Sequence, residues 1–178
     1  MNRQNRIKFS AEDEDLFNSA RLLLLFKVLD EMNLQKGNNI EKIGYYDFFS
    51  AQPFLVFGDN DQDIKKDLIF FGFEATTISY GSSSQRFANR REKLKQYLAG
   101  LILRDLITIN NTDGELVYVI TERGRETANK FNTFYSAAYH RSAKLIVEKM
   151  KGWSNKKISM NAREWLKAEP FLIDLYDF

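Results

Sequence analysis

Residues 106–126 read LITINNTDGELVYVITERGRE, and the fold is decided here. Two β-prone runs, residues 106–109 and 116–120, flank a polar link at 110–115. Asp113-Gly114 in that link is a turn pair of the kind that tight hairpins favour, so the stretch predicts a β-hairpin. Thr121 then supplies a helix cap and Glu122 an acid for the first turn. The stripe Ala128, Phe131, Tyr135, Ala138, Leu145 and Ile146 predicts one helix running to about residue 150. Gly152 breaks it, and residues 154–167 form a last short helix.

Upstream of the hairpin the pattern is helical throughout. Residues 84–104 predict a long helix with Phe87, Leu94, Leu98 and Leu101 on one stripe. At about 100° per residue, Arg86, Arg90, Lys93, Tyr97 and Arg104 fall on a neighbouring stripe. Residues 76–84 are small and polar and read as a connection with room for a short strand at 76–80. Before it, Asp59-Asn60-Asp61 caps a helix over 62–71. A further helix covers 40–51, and Pro53 ends it. The first helix opens on the acids at 12–15, which suit a helix N-terminus. Leu16, Ala20, Leu23, Leu24, Val28 and Met32 repeat at three to four residues, and Leu22, Leu25 and Phe26 make the helix apolar nearly all round. Residues 33–37 stop it.

Composition narrows the chemistry. The chain has 178 residues, 44% hydrophobic and 14% aromatic, which is too apolar for a disordered segment. It has no Cys and one His, which excludes disulfides, thiolate zinc sites, iron–sulfur clusters and thiol nucleophiles. No signal-peptide core or membrane-length apolar run is visible, so a soluble, cytoplasmic protein is expected. Asp59, Asp61 and Asp63 imitate the start of a calcium loop, but Ile64 stands where a turn Gly belongs and Phe70 where a bidentate Glu belongs. Helix capping is the better reading. Asp63-Ile64-Lys65 imitates part of a nuclease pattern inside a helical segment. Residues 81–84 lack the Gly-Lys-Ser/Thr of a phosphate loop, and His140 reads as a packed or surface side chain. No acid/base pair, cofactor site or metal site is expected, and the chain is read as not an enzyme.

Helix, helix, helix, hairpin, helix is the order of a winged helix-turn-helix domain. Residues 119–126, VITERGRE, resemble the segment that follows the wing in that superfamily, and residues 97–107, YLAGLILRDLI, resemble its entry into the wing. The fold class expected is mainly α with a small β-hairpin, a winged helix-turn-helix with extra N- and C-terminal helices. Its parts are a flexible 1–11, a winged-helix domain over 12–151 with an insertion near 52–83, and a C-terminal helix and tail over 152–178. In a DNA-reading winged helix, Arg86, Arg90, Lys93, Tyr97 and Arg104 would face the duplex. The hairpin tip opposes this, since Asp113 and Glu115 would be repelled by phosphate and no base accompanies them.

Two segments suit protein contacts. One contains Pro53, Phe54 and Leu55. The other is the apolar and acidic tail with Phe171, Leu172, Leu175, Tyr176 and Phe178. Residues 21–26 (RLLLLF), 40–49 (IEKIGYYDFF) and 52–55 (QPFL) resemble the opening of the middle-component proteins of ABC-three-component systems, a likeness that extends over about residues 16–150. The resemblance departs at Tyr45-Tyr46, where aliphatic residues are usual. It implies an accessory subunit, encoded with an SMC-like or Rad50-like ATPase and an effector, often a nuclease, as in Lamassu-type anti-phage defence. It also implies DNA contact mainly within the complex, and it carries over no catalytic residue. A winged-helix transcription regulator is the alternative. Net charge +2 is a cancellation. Residues 1–83 hold 9 basic and 13 acidic side chains, 84–157 hold 15 and 7, and 158–178 hold 2 and 4. A basic core between acidic ends fits either reading.

Overall fold

The computed structural model describes residues 15–34, 38–74, 83–112 and 114–166. Its centre is α1 (Asp15–Glu31), in which Leu22, Leu23, Leu24, Leu25 and Phe26 are all buried. A helix apolar on every side must be covered on every side. Helices α2 (Ile40–Ala51), α4 (Ser83–Leu103), α5 (Glu122–Asn129) and α6 (Phe134–Met150), together with strand β2 (Glu115–Ile120), all pack against it. Asn33 ends α1 in the left-handed region, at φ 56°.

Helix α2 starts where Asn39 caps it, its side chain accepting from Lys42 N–H at 3.0 Å. Pro53 follows its end and opens a short 3-10 turn, Pro53–Leu55. Helix α3 (Gln62–Phe70) lies at the edge, tied to α6 by Arg141–Asp67 (2.6 Å) and Lys149–Asp61 (3.8 Å). Asp61 occupies its N-cap position, yet the carboxylate accepts from Gly58 N–H rather than from the helix, while Asp59 pairs with Lys65 at 2.8 Å. The aspartate run therefore stabilises the turn before α3 more than its first amides. Helix α7 (Asn155–Leu166) packs on α2.

The hairpin joins β1 (Ile107–Thr112) to β2 in antiparallel register, from Ile107 opposite Ile120 to Thr112 opposite Glu115. Gly114, at φ 87°, supplies the turn conformation that an L side chain resists. Ile107 and Ile120 are buried against the helices, while Ile109 and Leu116, on the same face towards the tip, are exposed. On its outer edge Tyr118 N–H donates to the Asn38 carbonyl at 3.2 Å, so the link between α1 and α2 lies beside β2.

The junction after the hairpin explains residues 121–126. The Thr121 side chain accepts from Gly124 N–H at 3.0 Å and its hydroxyl donates to the Asp105 carbonyl at 2.7 Å. A Cβ on Gly124 would stand 2.0 Å from the Leu106 carbonyl oxygen, so α5 touches the chain entering β1 backbone to backbone. Arg125 reaches Asp30 of α1 at 2.6 Å and locks α5 in place.

One expectation is corrected. The single helix predicted from Thr121 to about residue 150 is two, because Thr133 caps a fresh helix by accepting from Ser136 N–H at 3.1 Å. The described fold is otherwise mainly helical with one two-stranded hairpin. The strand expected at 76–80 and the tail carrying Phe171, Leu172, Leu175, Tyr176 and Phe178 lie outside the described residues.

Candidate functional site

The stripe Arg86, Arg90, Lys93, Tyr97 and Arg104 does not form one solvent face. It follows the edge along which α4 meets α1 and α2. Arg90 turns inward, with its side chain 12% exposed, its Nη1 3.9 Å from Asp47 Oδ2, and its guanidinium 5.4 Å from the centre of the Phe48 ring. Tyr97 is buried; its hydroxyl accepts from Asn18 Nδ2 (3.2 Å) and donates to Asp15 Oδ1 (3.4 Å). Arg86 is half-buried at a cleft of about 260 Å³ shared with Asn18, Asn89, Arg90, Lys93 and Tyr97. Lys93 is exposed, 4.0 Å from Asp15, and Arg104 is exposed with Nη1 bonded to the Gly100 carbonyl at 2.9 Å. Of the five, Arg90 and Tyr97 are thus held by the interior, while Arg86, Lys93 and Arg104 reach solvent.

What draws Arg90 inward is Asp47, an ionised group at the centre of the core. Arg21 grips it twice, Nε to Oδ1 at 2.8 Å and Nη2 to Oδ2 at 3.0 Å, and the Tyr139 hydroxyl donates to Oδ1 at 3.0 Å. Burial pushes the Asp47 carboxyl up, but Arg21 and Arg90 outweigh it and hold the group below the usual carboxylate range. Burial raises the Tyr139 phenol, which stays a donor. A charge buried this deeply needs pairing, and α1, α4 and α6 each supply part of it to Asp47 on α2. The arrangement ties four helices together and leaves Asp47 fully engaged.

A second polar cluster lies nearer the surface. Glu31 faces His140 Nε2 at 2.8 Å, Lys144 Nζ at 3.0 Å and Lys27 Nζ at 3.9 Å. Burial pushes its carboxyl up, and hydrogen bonds from Lys144 and His140 bring it below the ordinary value. His140, expected as a packed or surface residue, is thus a hydrogen-bond partner joining α6 to α1. Among the described residues no group of three or more His, Cys, Asp or Glu is placed to hold a metal ion.

The segment containing Pro53, Phe54 and Leu55 is directed inward. Pro53 is buried, and Phe54 and Leu55 are half-buried against the core, so the apolar surface expected for a partner is largely covered by the chain's own helices.

An apolar groove does open elsewhere. It runs between the first turns of α1 and the last turns of α4, with a volume of about 980 Å³. Leu16, Ala20 and Leu23 form one wall, Ala99, Gly100 and Leu103 the other, and Leu106 and Phe131 close the far end. Leu16 is 75% exposed and Leu103 is 86% exposed. Covering a leucine is worth about 1.5–3 kcal/mol, so two bare ones beside a concave apolar surface make the groove a candidate for a protein contact. The sequence held a signal for it. Leu103 lies two residues beyond Leu101, about 200° round the helix, hence opposite the core stripe.

Comparison with protein families adds a decisive observation. Residues 75–168, more than half of the chain, match the model of the family described as ABC-three component (ABC-3C) system Middle Component 2. The chain belongs to this family. The matched span holds α4, the hairpin, α5, α6 and α7, and so one wall of the groove. The Middle Component 2 match does not include the segments at 21–26, 40–49 and 52–55 that carried the sequence resemblance. Nothing among curated proteins or solved structures matches the chain significantly. No helix among the described residues is long and apolar enough to cross a membrane.

Proposed function

We propose that this chain is the non-catalytic middle subunit of an ABC-three component anti-phage system of the Lamassu type. In this reading it binds an SMC-like or Rad50-like ATPase and couples that subunit's engagement of DNA to an effector such as a nuclease. The observation that carries the proposal is the family match over residues 75–168, since a middle component is by description one part of a multi-component system. A winged-helix topology is part of the proposal. It is supported by the order of α1, α2, α4, hairpin and α5, and by the Tyr118–Asn38 backbone bond, which sets the α1–α2 link beside the hairpin as a third edge.

Two features favour the subunit over a free-standing transcription regulator. Arg90 and Tyr97 are committed to the interior, which removes side chains that base readout would use. Lys93 and Arg104 remain at the surface, enough for phosphate contact next to DNA held by another subunit. The deciding experiment is co-expression with the SMC-like or Rad50-like ATPase that this reading places in the same system. One complex on size-exclusion chromatography is expected. Elution as a lone monomer, with tight and specific binding to upstream DNA, would overturn the reading in favour of a regulator.

A further inference from the structure

We infer that the α1–α4 groove is the seat of an amphipathic helix from the partner subunit, bearing an apolar stripe with a basic residue at one end and an acidic residue at the other. The inference rests on the subunit reading above and names the surface through which it acts.

The length of the groove argues for a helix. Its walls run from Leu16 to Leu23 on α1 and from Gln96 to Leu103 on α4. Each is eight residues, about 10 Å from first to last or two helical turns. That length accepts anchors spaced i, i+3 or i+4, and i+7, the pattern by which an amphipathic helix fills a groove. Ala20, Ala99 and Gly100 keep the walls low, so a helix can approach closely. A Cβ added at Gly100 would meet only the end of the Arg104 side chain, so backbone geometry does not demand this glycine.

Charge fixes the ends. Asp15 sits at one mouth, 57% exposed, with Gln96 and Tyr97 of α4 beside it and Lys93, which is outside the groove lining, 4.0 Å away. Arg104, exposed, sits two turns further along α4 at the other. An apolar floor with an acid at one end and a base at the other complements a helix of the reverse polarity and sets its direction. The apolar stretch between favours leucine-like anchors over nucleic acid, which would meet too few cations here.

The test uses the full chain in complex with the ATPase. A photo-crosslinking residue is placed at Leu103, and the crosslinked peptides are mapped by mass spectrometry. Crosslinks to a leucine-bearing helical segment of the ATPase are expected, and crosslinks to residues 1–14 of the same chain or to a second copy would overturn the proposal. Leu16→Asp and Leu103→Asp are then assayed for ATPase binding, with Phe70→Asp on α3, 81% exposed, as the control. The groove variants should weaken binding by about tenfold or more and the control should not. Circular dichroism and thermal melts establish that all three fold. If wild type binds the ATPase and both leucine variants bind equally well, the groove assignment fails while the subunit reading stands. If wild type does not bind, the subunit reading itself fails.

Discussion

At Arg90, helix α4 meets α1 and α2 around Asp47, Arg21 and the Tyr139 hydroxyl, all closed off from solvent. About 20 Å further along the same helix, Leu103 stands almost bare above an apolar trough. One helix thus keeps charge inside and hydrocarbon outside. Asp47 is paired by the chain's own residues, with Arg21 Nη1 left buried and without a hydrogen-bond acceptor among the described residues. Among the described residues nothing covers Leu103, and the proposed partner helix would. The lesson is that a buried polar group and an exposed apolar one point in opposite directions, the first to architecture and the second to association.

The sharpest way to break this comparison is to remove Asp47. Asp47→Ala leaves Arg21 and Arg90 charged in the core, and denaturant unfolding should show a loss of about 3–5 kcal/mol. Pairing it with Arg21→Met should recover part of that loss in a double-mutant cycle, because the uncompensated charge is then reduced.

A backbone test comes next. Gly124→Ala forces α5 away from the Leu106 carbonyl and should cost about 1–3 kcal/mol in a thermal or denaturant melt.

The charge cluster also predicts a pH dependence. Asp47 and Glu31 both titrate below their ordinary values in the folded chain. Their stabilisation is therefore present above the unfolded carboxylate range, about pH 4, and is lost as pH falls through the folded values. Melting temperature should drop on acidification below about pH 4, and the drop should be shallower in Asp47→Asn. An unchanged acid profile in that variant would mean that the central pair does not set acid stability.

The smallest stability change belongs to the groove. Leu103→Asp should shift unfolding by no more than about 0.5 kcal/mol, as at ordinary surface positions. The contrast with Asp47→Ala then measures how separable architecture and association are.

Much of the fold was legible because its determinants are local. Asp113-Gly114 marks the hairpin, Thr121 marks the start of α5, Pro53 marks the end of α2, and Gly152, at φ 76°, marks the end of α6. The α5–α6 break was missed because Phe131 and Tyr135 continue the apolar stripe across it, and the hydrophobic spacing concealed Thr133 as a cap. The stripe on α4 is legible as spacing, but the inward turn of Arg90 and the burial of Tyr97 are not. Nothing within residues 84–104 shows that Asp47, on a different helix, draws Arg90 inward. Two local hints existed for that pairing, a lone Arg21 before a leucine run and a lone Asp47 among aromatic residues, and opposite charges isolated in apolar segments are candidates to find each other. The middle-component likeness was drawn mainly from residues 21–55, whereas the family match lies at 75–168.

The central position of α1 has a consequence for how this chain is divided. Similarity marks out residues 75–168, but α1 lies upstream of that span and occupies the space between α4, α5 and α6. A fragment cut at the similarity boundary would keep the hairpin and four helices while losing the rod around which they close. Its exposed inner surface would be the imprint of Leu22 to Phe26. The span that matches the family model and the span that packs around α1 are therefore different lengths of the same polypeptide.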